Sequence, residues 1–365
     1  MRRIALVNQK GGVGKTTTAV NLGAALAHAG RRVVLVDLDP QGNLSTHLGV
    51  EVPGGAPSTY SVLCDGLPME AALQPTAIEG LSVLPTNIDL SGAEMELAAS
   101  FGRESILNDA VNLWAETSDA DYLIFDCPPS LGLLSVNGLV AANEVFIALQ
   151  TEFFALQGMS KLVEIVQLLK RRLNPDLEIS GIIPCLYDSR LRLAREVLGE
   201  IRRYFPGPVF RRTVRTNVKL AEAPSYGQSI FEYAPKSPGA GDYRDLAVEV
   251  MAQEPEASVQ PAPTPEAEAT PAQAPAPKAE TAPAQASPIA PEIEPVANAA
   301  AEVNVEIETE AKAEVHNETE VDKAAAVDVP IEDVTLTPLP KPEVSVLRAD
   351  DLPALPEDAF RTSGS

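Results

Sequence analysis

The segment that decides the fold lies near the start of the chain and reads Asn8-Gln9-Lys10-Gly11-Gly12-Val13-Gly14-Lys15-Thr16-Thr17. It follows an apolar run over Ile4–Val7 and precedes a helical pattern over Thr16–Ala29, which Gly30 is suited to end. Closely spaced glycines let backbone N–H groups converge on phosphate oxygens, and the positive end of the helix dipole adds to the attraction. The segment therefore predicts a phosphate-binding loop between a strand and a helix.

Two side chains of this loop have predicted contacts with a nucleotide. Lys15 would reach the β- and γ-phosphates, and the Thr16 hydroxyl would bind Mg²⁺. The strict pattern GxxxxGK[ST] is not met, because Gln9 stands where its first glycine should be. A glycine-rich turn with solvated lysines is the alternative, and the strand before it and the helix after it argue against that. The predicted nucleotide-binding loop residues are Lys10, Gly11, Gly12, Val13, Gly14, Lys15, Thr16 and Thr17.

Outward from the loop, short β-branched runs alternate with helical periodicity. This alternation predicts βαβ units, and so an α/β fold with a mostly parallel sheet flanked by helices, as in phosphate-loop NTPases. Ligands of such sheets bind at the carboxyl ends of the strands. A helix is predicted over Ala155–Arg172. Besides Ile4–Val7, the predicted buried strands are Val33–Val36, Tyr122–Phe125, Val145–Leu149 and Ile179–Ile183.

Carboxylates follow two of these strands directly. Asp37 and Asp39 come after Val33–Val36, and Asp126 comes after Tyr122–Phe125. A carboxylate at a strand end beside the loop can hold Mg²⁺ directly or through water. An aspartate at such a position is ordinarily a helix cap or a turn former. Their occurrence together with the phosphate loop favours the metal-binding interpretation.

The form KGGVGKTT, with its added Lys10, resembles the deviant Walker A motif of the ParA/MinD family of dimerising ATPases. The resemblance extends over nearly all of residues 1–252 and is closest to the small chromosomal, Soj-type ParA branch. It is carried by VDLDPQGN (36–43), FDCPPSLGLLSVNGL (125–139), QTEFFALQG (150–158), NVKLAEAPSYGQSI (217–230) and SPGAGDY (237–243).

The resemblance implies a catalytic role for four side chains, with ATP and Mg²⁺ as cofactors. Lys10 would act in trans on the nucleotide of a partner subunit, and Lys15 on the phosphates in its own chain. Asp39 would orient the attacking water, while Asp126 would be the Walker B acid. Thr16, Asp39 and Asp126 would then be the magnesium ligands.

Two further nucleotide contacts are implied, at Glu152 and Asn217. Glu152 matches a position that touches the ribose of the partner's nucleotide, although it could equally be a surface carboxylate. The segment that contains Asn217 approaches the adenine in the family. This chain departs from the family there, because Arg215-Thr216 replaces the Pro-Arg pair of the usual IPRNVRL.

Charge divides the chain into two parts. Residues 1–252 hold 22 basic and 28 acidic side chains, whereas residues 253–365 hold 6 basic and 23 acidic ones together with 17 of the 32 prolines. Such a composition cannot bury enough apolar surface to offset the entropy of ordering. We therefore expect an ATPase domain over 1–252 and a disordered Pro/Ala/Glu-rich tail over 253–365. The tail could be a spacer, a segment that recruits a partner or an acidic competitor for a basic patch of the first part.

A basic stretch within the first part is a candidate DNA-binding surface. Residues 185–220 contain nine basic and three acidic side chains, a local net charge of +6. Such a surface can neutralise phosphates without reading sequence, although a charge run is often only a solvated helix face. The resemblance favours nonspecific double-stranded DNA and matches Arg190 to a DNA-contacting arginine. The predicted contacts are Arg190, Arg192, Arg195, Arg215 and Lys219.

Other classes of protein are disfavoured. No apolar run approaches the length that spans a bilayer, and Met1-Arg2-Arg3-Ile4 leads into a strand pattern rather than a signal peptide. Cys64, Cys127 and Cys185 form neither a CxxC motif nor an even set. We expect a cytoplasmic, nucleoid-associated protein without a membrane partner.

The predicted function is that of an ATP-dependent homodimer that binds DNA nonspecifically, hydrolyses ATP slowly and acts in chromosome or plasmid partitioning. Its stimulating partner would be a ParB-type protein. One alternative is a ParA-like factor that positions a non-DNA cargo with the nucleoid as its track. Another is a nucleotide-gated DNA clamp with negligible turnover.

Overall fold

The computed structural model describes residues 1–254, so the predicted disordered tail lies outside the described residues except for Gln253 and Glu254. The described strands form one sheet of seven in the order β3-β4-β2-β5-β1-β6-β7, and only β3 is antiparallel to its neighbour. The strands are Arg2–Val7 (β1), Val33–Asp37 (β2), Gln74–Pro75 (β3), Leu81–Leu84 (β4), Tyr122–Asp126 (β5), Glu144–Gln150 (β6) and Glu178–Cys185 (β7).

Helices connect these strands and cover both faces of the sheet. Three short 3₁₀ turns lie at Ile88–Gly92, Leu97–Ala99 and Ala223–Tyr226. The α-helices are Lys15–His28 (α1), Asn43–His47 (α2), Thr59–Cys64 (α3), Met69–Ala72 (α4), Ala93–Glu96 (α5), Ile106–Ala115 (α6), Leu133–Ala141 (α7), Ala155–Arg172 (α8), Arg192–Tyr204 (α9), Val218–Glu222 (α10), Ile230–Tyr233 (α11) and Pro238–Met251 (α12).

The α/β prediction is confirmed. Each predicted strand lies within an observed one, and the predicted helix over 155–172 coincides with α8. The sequence pattern did not predict β3 and β4. Both are too short to show a pattern, because β3 has two residues and β4 has four with a polar Ser82 among them.

Alternate residues of each central strand enter two different apolar clusters. In β1, Ala5 and Val7 pack in the cluster on one face, whereas Ile4 and Leu6 pack in the cluster on the other. Burial on both faces explains why these strands read as continuous apolar runs rather than as alternating ones. The register then places Asp37 of β2 directly beside Asp126 of β5, which in turn pairs with Leu6 of β1. The carboxylates and the loop after β1 thus share the carboxyl edge of the sheet.

Candidate nucleotide and magnesium site

The loop between β1 and α1 has the backbone conformation of an anion cradle. Gly12 and Gly14 adopt φ values of 72° and 92°, in the left-handed region that favours glycine. Gly14 is the N-cap of α1, no side chain caps that end, and the first turn holds no acidic residue. The N–H groups of this turn therefore lack a side-chain acceptor in the part of the chain that the structure describes, and an anion is a suitable partner for them.

Asn8 anchors the loop to the sheet, a role that the sequence reading did not assign. Its Nδ2 donates to the Ala148 carbonyl of β6 at 2.6 Å, and its Oδ1 accepts from the Lys10 backbone N–H at 2.9 Å. Its carbonyl accepts from Lys15 Nζ at 3.0 Å. An asparagine placed directly between a strand and a glycine-rich loop was the available signal.

Lys15 is buried and its ammonium lies over the loop. Burial lowers the pKa of Lys15, and the carboxylates of Asp126 and Asp39 oppose that shift. The ammonium thus lies close enough to both acids to interact with them electrostatically. A cation held at this point is placed to neutralise an anionic ligand of the loop.

The two adjacent carboxylates differ in their bonding. Asp37 is fully buried, and its Oδ2 accepts from Ser45 Oγ at 2.7 Å and from the Ser45 N–H at 3.0 Å. Its Oδ1 accepts from the Asp39 N–H at 3.3 Å. Asp126 is equally buried, but neither of its oxygens has a hydrogen-bond partner among the described residues.

The pKa values of the two acids reflect this environment. Burial raises the pKa of Asp37 to about 7, although the hydrogen bonds from Ser45 lower it. Burial also raises the pKa of Asp126 well above its usual range, and repulsion from Asp37 adds to this, while Thr16 and Lys15 act against it. An ionised carboxylate in such a place is costly without a counter-charge.

The donor set at this edge fits Mg²⁺. Asp126 supplies two free oxygens, Thr16 supplies a nearby hydroxyl, and the half-buried Asp39 lies at the mouth of the site. Asp37 instead uses its oxygens to hold Ser45 of α2, so it fits a supporting role.

Lys10 and Glu152 meet on the exposed side of the loop. Lys10 Nζ forms an ion pair with the Glu152 carboxylate and lies 3.3 Å from Gln150 Oε1. The two charged side chains are 55% and 50% exposed, so water screens their attraction. Phe153 and Phe154 follow, exposed and packed edge to face against each other.

Asn217 lies beyond the end of β7. Its Oδ1 caps α10 by accepting from the Lys219 N–H at 2.9 Å, whereas its Nδ2 is buried without a partner within residues 1–254. A buried amide that lacks an acceptor is a candidate contact for a ligand.

Three of the predicted DNA contacts lie together at the start of α9. Arg190 and Arg192 are strongly exposed and pair locally with Asp188 and Glu196, at 2.6 Å in each case. Arg195 donates to the Ser189 carbonyl at 2.5 Å.

The other two predicted DNA contacts are bound to acids outside residues 185–220, one distant in sequence and one in the same helix. Arg215 pairs with the buried Asp242 at 2.7 Å, and Lys219 pairs with Glu222 at 2.8 Å. Counting the acids that contact this stretch from outside it reduces its net charge from +6 to +2. Those acids are Glu222, Asp242, Asp245 and Glu249.

Comparison with known proteins agrees with this geometry. A family profile described as an AAA domain matches residues 1–179. The sporulation initiation inhibitor protein Soj of Bacillus subtilis is 46% identical over 249 residues, which are 68% of this chain and 98% of that protein. The chromosome partitioning protein ParA of Myxococcus xanthus is 46% identical over 253 residues, 69% of this chain and 89% of that one.

Solved structures also share both sequence and fold with the chain, and one example has a bound nucleotide analogue. It is described as cobyrinic acid a,c-diamide synthase from Mycobacterium smegmatis with a bound ATP analog and magnesium. It is 40% identical with a TM-score of 0.60, and the match covers 69% of this chain and 94% of that one. Within residues 1–254, no helix combines the length and apolarity needed to cross a membrane.

Proposed function

This chain belongs to the ParA/MinD family of deviant Walker A ATPases, on its Soj-type branch, and from that premise we propose that it couples ATP binding to dimerisation and DNA retention. It is a partitioning ATPase, and its cofactors are ATP and Mg²⁺. The observation that carries the proposal is the buried carboxylate of Asp126 beside Lys15 at the phosphate loop, since neither of its oxygens has a hydrogen-bond partner among the described residues.

The proposed chemistry assigns each side chain of the site one task. Lys15 neutralises the β- and γ-phosphates, and Thr16 and Asp126 hold Mg²⁺, with Asp39 contributing through water. Magnesium, when bound, offsets the negative charge that develops on the phosphates during transfer. Asp39 also accepts a hydrogen bond from the attacking water and orients it.

Lys10 is proposed to act across a homodimer, where it reaches the nucleotide of the second subunit. Its contact with Glu152 is half exposed, and such pairs contribute about 1 kcal/mol or less. The ammonium can therefore leave Glu152 at little cost when a partner's phosphates come within reach. Glu152 would then be free to contact the partner's ribose.

DNA binding is proposed for the exposed surface formed by Arg190, Arg192 and Arg195. Their local ion pairs are screened by water, so phosphates can compete for the guanidinium groups. Two such surfaces on a dimer bind more tightly than one, because the second contact becomes intramolecular. The proposed location is the cytoplasm, on the nucleoid, with a ParB-type protein as the partner that stimulates hydrolysis.

The experiment measures dimerisation and DNA retention of the full-length chain with ADP, ATP and a nonhydrolysable ATP analogue. We expect a dimer retained on nonspecific DNA only with ATP or the analogue. Lys10→Ala should keep nucleotide affinity and lose both dimer and retention. Lys170→Ala is the matched control, because Lys170 also pairs with a surface glutamate, Glu178. A wild-type chain that stays monomeric when saturated with the analogue would refute the proposal.

A further inference from the structure

The carboxylate of Asp242 in α12 binds a single residue of the segment Val214–Asn217 through both its backbone and its side chain. Asp242 is fully buried. Its Oδ1 accepts from Arg215 Nη2 at 2.7 Å, and its Oδ2 accepts from Arg215 Nε at 3.0 Å and from the Arg215 N–H at 3.1 Å. A buried charge with this set of donors is compensated and fixes the geometry of its partner.

The next residue, Thr216, fastens the same segment to the end of β7. Its Oγ1 donates to the Leu186 carbonyl at 3.0 Å, and its N–H donates to the Tyr187 carbonyl at 3.3 Å. Leu186 has a φ of 49° and is the one non-glycine residue with positive φ within residues 1–254. Thr216 thus stabilises a turn that leucine adopts only at a cost in energy.

This turn lies on the flank of the phosphate loop. It directly follows Cys185, whose Cβ is 3.8 Å from where a Cβ on Gly14 would stand. The first turns of α12 touch the phosphate-loop helix as well, since the Tyr243 hydroxyl lies 3.1 Å from Thr18 Oγ1. One helix therefore contacts both the segment Val214–Asn217 and α1.

The side-chain amide of Asn217 lies beside Gly239 in the first turn of α12. A Cβ on Gly239 would lie 3.1 Å from Asn217 Nδ2 and 2.9 Å from Leu220 Cγ. The Nδ2 group is buried and lacks an acceptor among the described residues. Asn217 thus lies beside Gly239 of α12 and directly follows Arg215 and Thr216 in sequence.

We propose that Asp242, Arg215 and Thr216 are positioning residues that hold Asn217 at the base end of the nucleotide site, where its free amide donates to the base. This inference rests on the proposed nucleotide-binding function. It assigns the Arg215 guanidinium to Asp242 rather than to DNA. A proline at 215, as in the related motif, has no N–H and no guanidinium to donate. The hydrogen bonds to Asp242 therefore depend on the Arg215-Thr216 pair that this chain has in place of Pro-Arg.

The test separates binding of the base from binding of the phosphates. In the full-length chain with Mg²⁺, we would measure the Kd of a fluorescent ATP analogue and its displacement by inorganic tripolyphosphate, which has no base. The variant is Arg215→Gln with Asp242→Asn, because removing Arg215 alone would leave the buried Asp242 carboxylate with Arg212, 3.5 Å away, as its remaining charged partner. We expect ATP affinity to fall about tenfold, roughly the effect of losing one or two hydrogen bonds, with tripolyphosphate affinity within about twofold.

Single variants and a matched pair complete the design. Thr216→Val should weaken ATP in the same selective way, and Arg215→Lys should restore part of what Arg215→Gln loses because lysine can still donate to Asp242. The control is Arg32→Gln with Asp119→Asn, another arginine–aspartate pair, which lies at the opposite edge of the sheet. The control should leave both ligands unaffected.

Three results would overturn the inference. In the first, ATP affinity is unchanged while the melting temperature falls, which is a purely structural role. In the second, ATP and tripolyphosphate weaken in parallel, which places the effect at the phosphate loop. In the third, the double variant reduces the salt dependence of DNA binding, which would mean that Arg215 contacts DNA phosphates. A wild-type chain that binds neither ligand would instead refute the proposed function itself, and this inference with it.

Discussion

The two ends of the strands differ in whether their polar side chains have partners. At the edge where the strands begin, Arg2 bonds both carboxylate oxygens of Glu144, at 2.7 and 2.6 Å, and Ser180 Oγ adds a third bond at 2.7 Å. Arg31 pairs with Glu254 at 2.7 Å on the same side. Charges at this edge are partnered and link the two ends of the described chain.

Every buried side-chain nitrogen or oxygen without a hydrogen-bond partner in the described range belongs either to the last residue of a strand or to a segment that follows one. These atoms are Asp126 Oδ1 and Oδ2, Asn217 Nδ2 and His47 Nε2. An unpartnered buried polar group costs stability, so its presence in a fold is explained when a ligand completes it. The comparison indicates that one edge contributes stability and the other is organised for ligands. Each prediction below tests that division.

The largest expected effect is at the phosphate loop. Lys15→Ala should weaken ATP binding by roughly a thousandfold, because a buried cation that neutralises phosphate oxygens contributes several kcal/mol. Titration of a fluorescent ATP analogue measures it, with Lys170→Ala as the control that keeps wild-type affinity. Equal affinities of the two variants would mean that the loop does not bind the triphosphate.

A second change at the same edge should separate function from stability. Asp126→Asn should lower Mg²⁺-dependent hydrolysis by about a hundredfold, since the amide is a poor ligand for a hard cation. Without nucleotide, the variant should be as stable as the wild type or more so, because burial and the adjacent Asp37 disfavour the ionised form of Asp126, and Asp39 remains to interact with Lys15. Phosphate release and denaturant unfolding would measure the two effects. A variant that is clearly less stable would show that Asp126 is structural.

At the end of the sheet where the strands begin, we expect the reverse: a loss of stability with little change in ATP affinity. Glu144→Gln should lower the free energy of unfolding by about 2 kcal/mol, since it weakens the bonds to Arg2 and Ser180, which are largely shielded from water. ATP affinity should stay within about twofold. Urea denaturation and ATP titration of one preparation would test both statements, and a large loss of ATP affinity would contradict the division.

The smallest expected effect concerns His47 and pH. Burial lowers the pKa of His47 to about 4, and its hydrogen bond to the Gln228 backbone opposes the shift. Between about pH 6.5 and 4 the unfolded chain therefore binds a proton that the folded chain does not, so this contribution to stability is complete above 6.5 and is lost as the pH falls. At pH 5 the loss amounts to about 2 kcal/mol.

His47→Gln removes that titration and leaves the other groups in place. The difference in unfolding free energy between wild type and variant should therefore shift by about 2 kcal/mol between pH 7 and pH 5, in favour of the variant at the lower pH. Denaturant unfolding at both pH values measures it. A difference that does not change with pH would show that His47 is protonated equally in both states.

The sequence alone predicted much of the end of the sheet that is organised for ligands. The glycine and lysine spacing of 10–17 predicted the loop, and the apolar run before it predicted β1, because both signals lie within a few neighbouring residues. The short strands β3 and β4 carried too few residues for any period to appear. Asn8 carried a weak signal, since its acceptor on Ala148 is 140 positions away.

What the sequence determined by itself was the type of fold, the phosphate loop and the presence of acids at two strand ends, since each depends on local pattern. The tertiary structure decided how the two acids differ: Asp37 and Asp126 look alike in sequence, yet Asp37 accepts hydrogen bonds from Ser45, whereas neither oxygen of Asp126 has a hydrogen-bond partner among the described residues. It likewise decided that Arg215, one basic residue among nine, binds Asp242 in α12. The physical reason is that local pattern sets backbone conformation, whereas partners distant in sequence determine whether a buried charge is compensated.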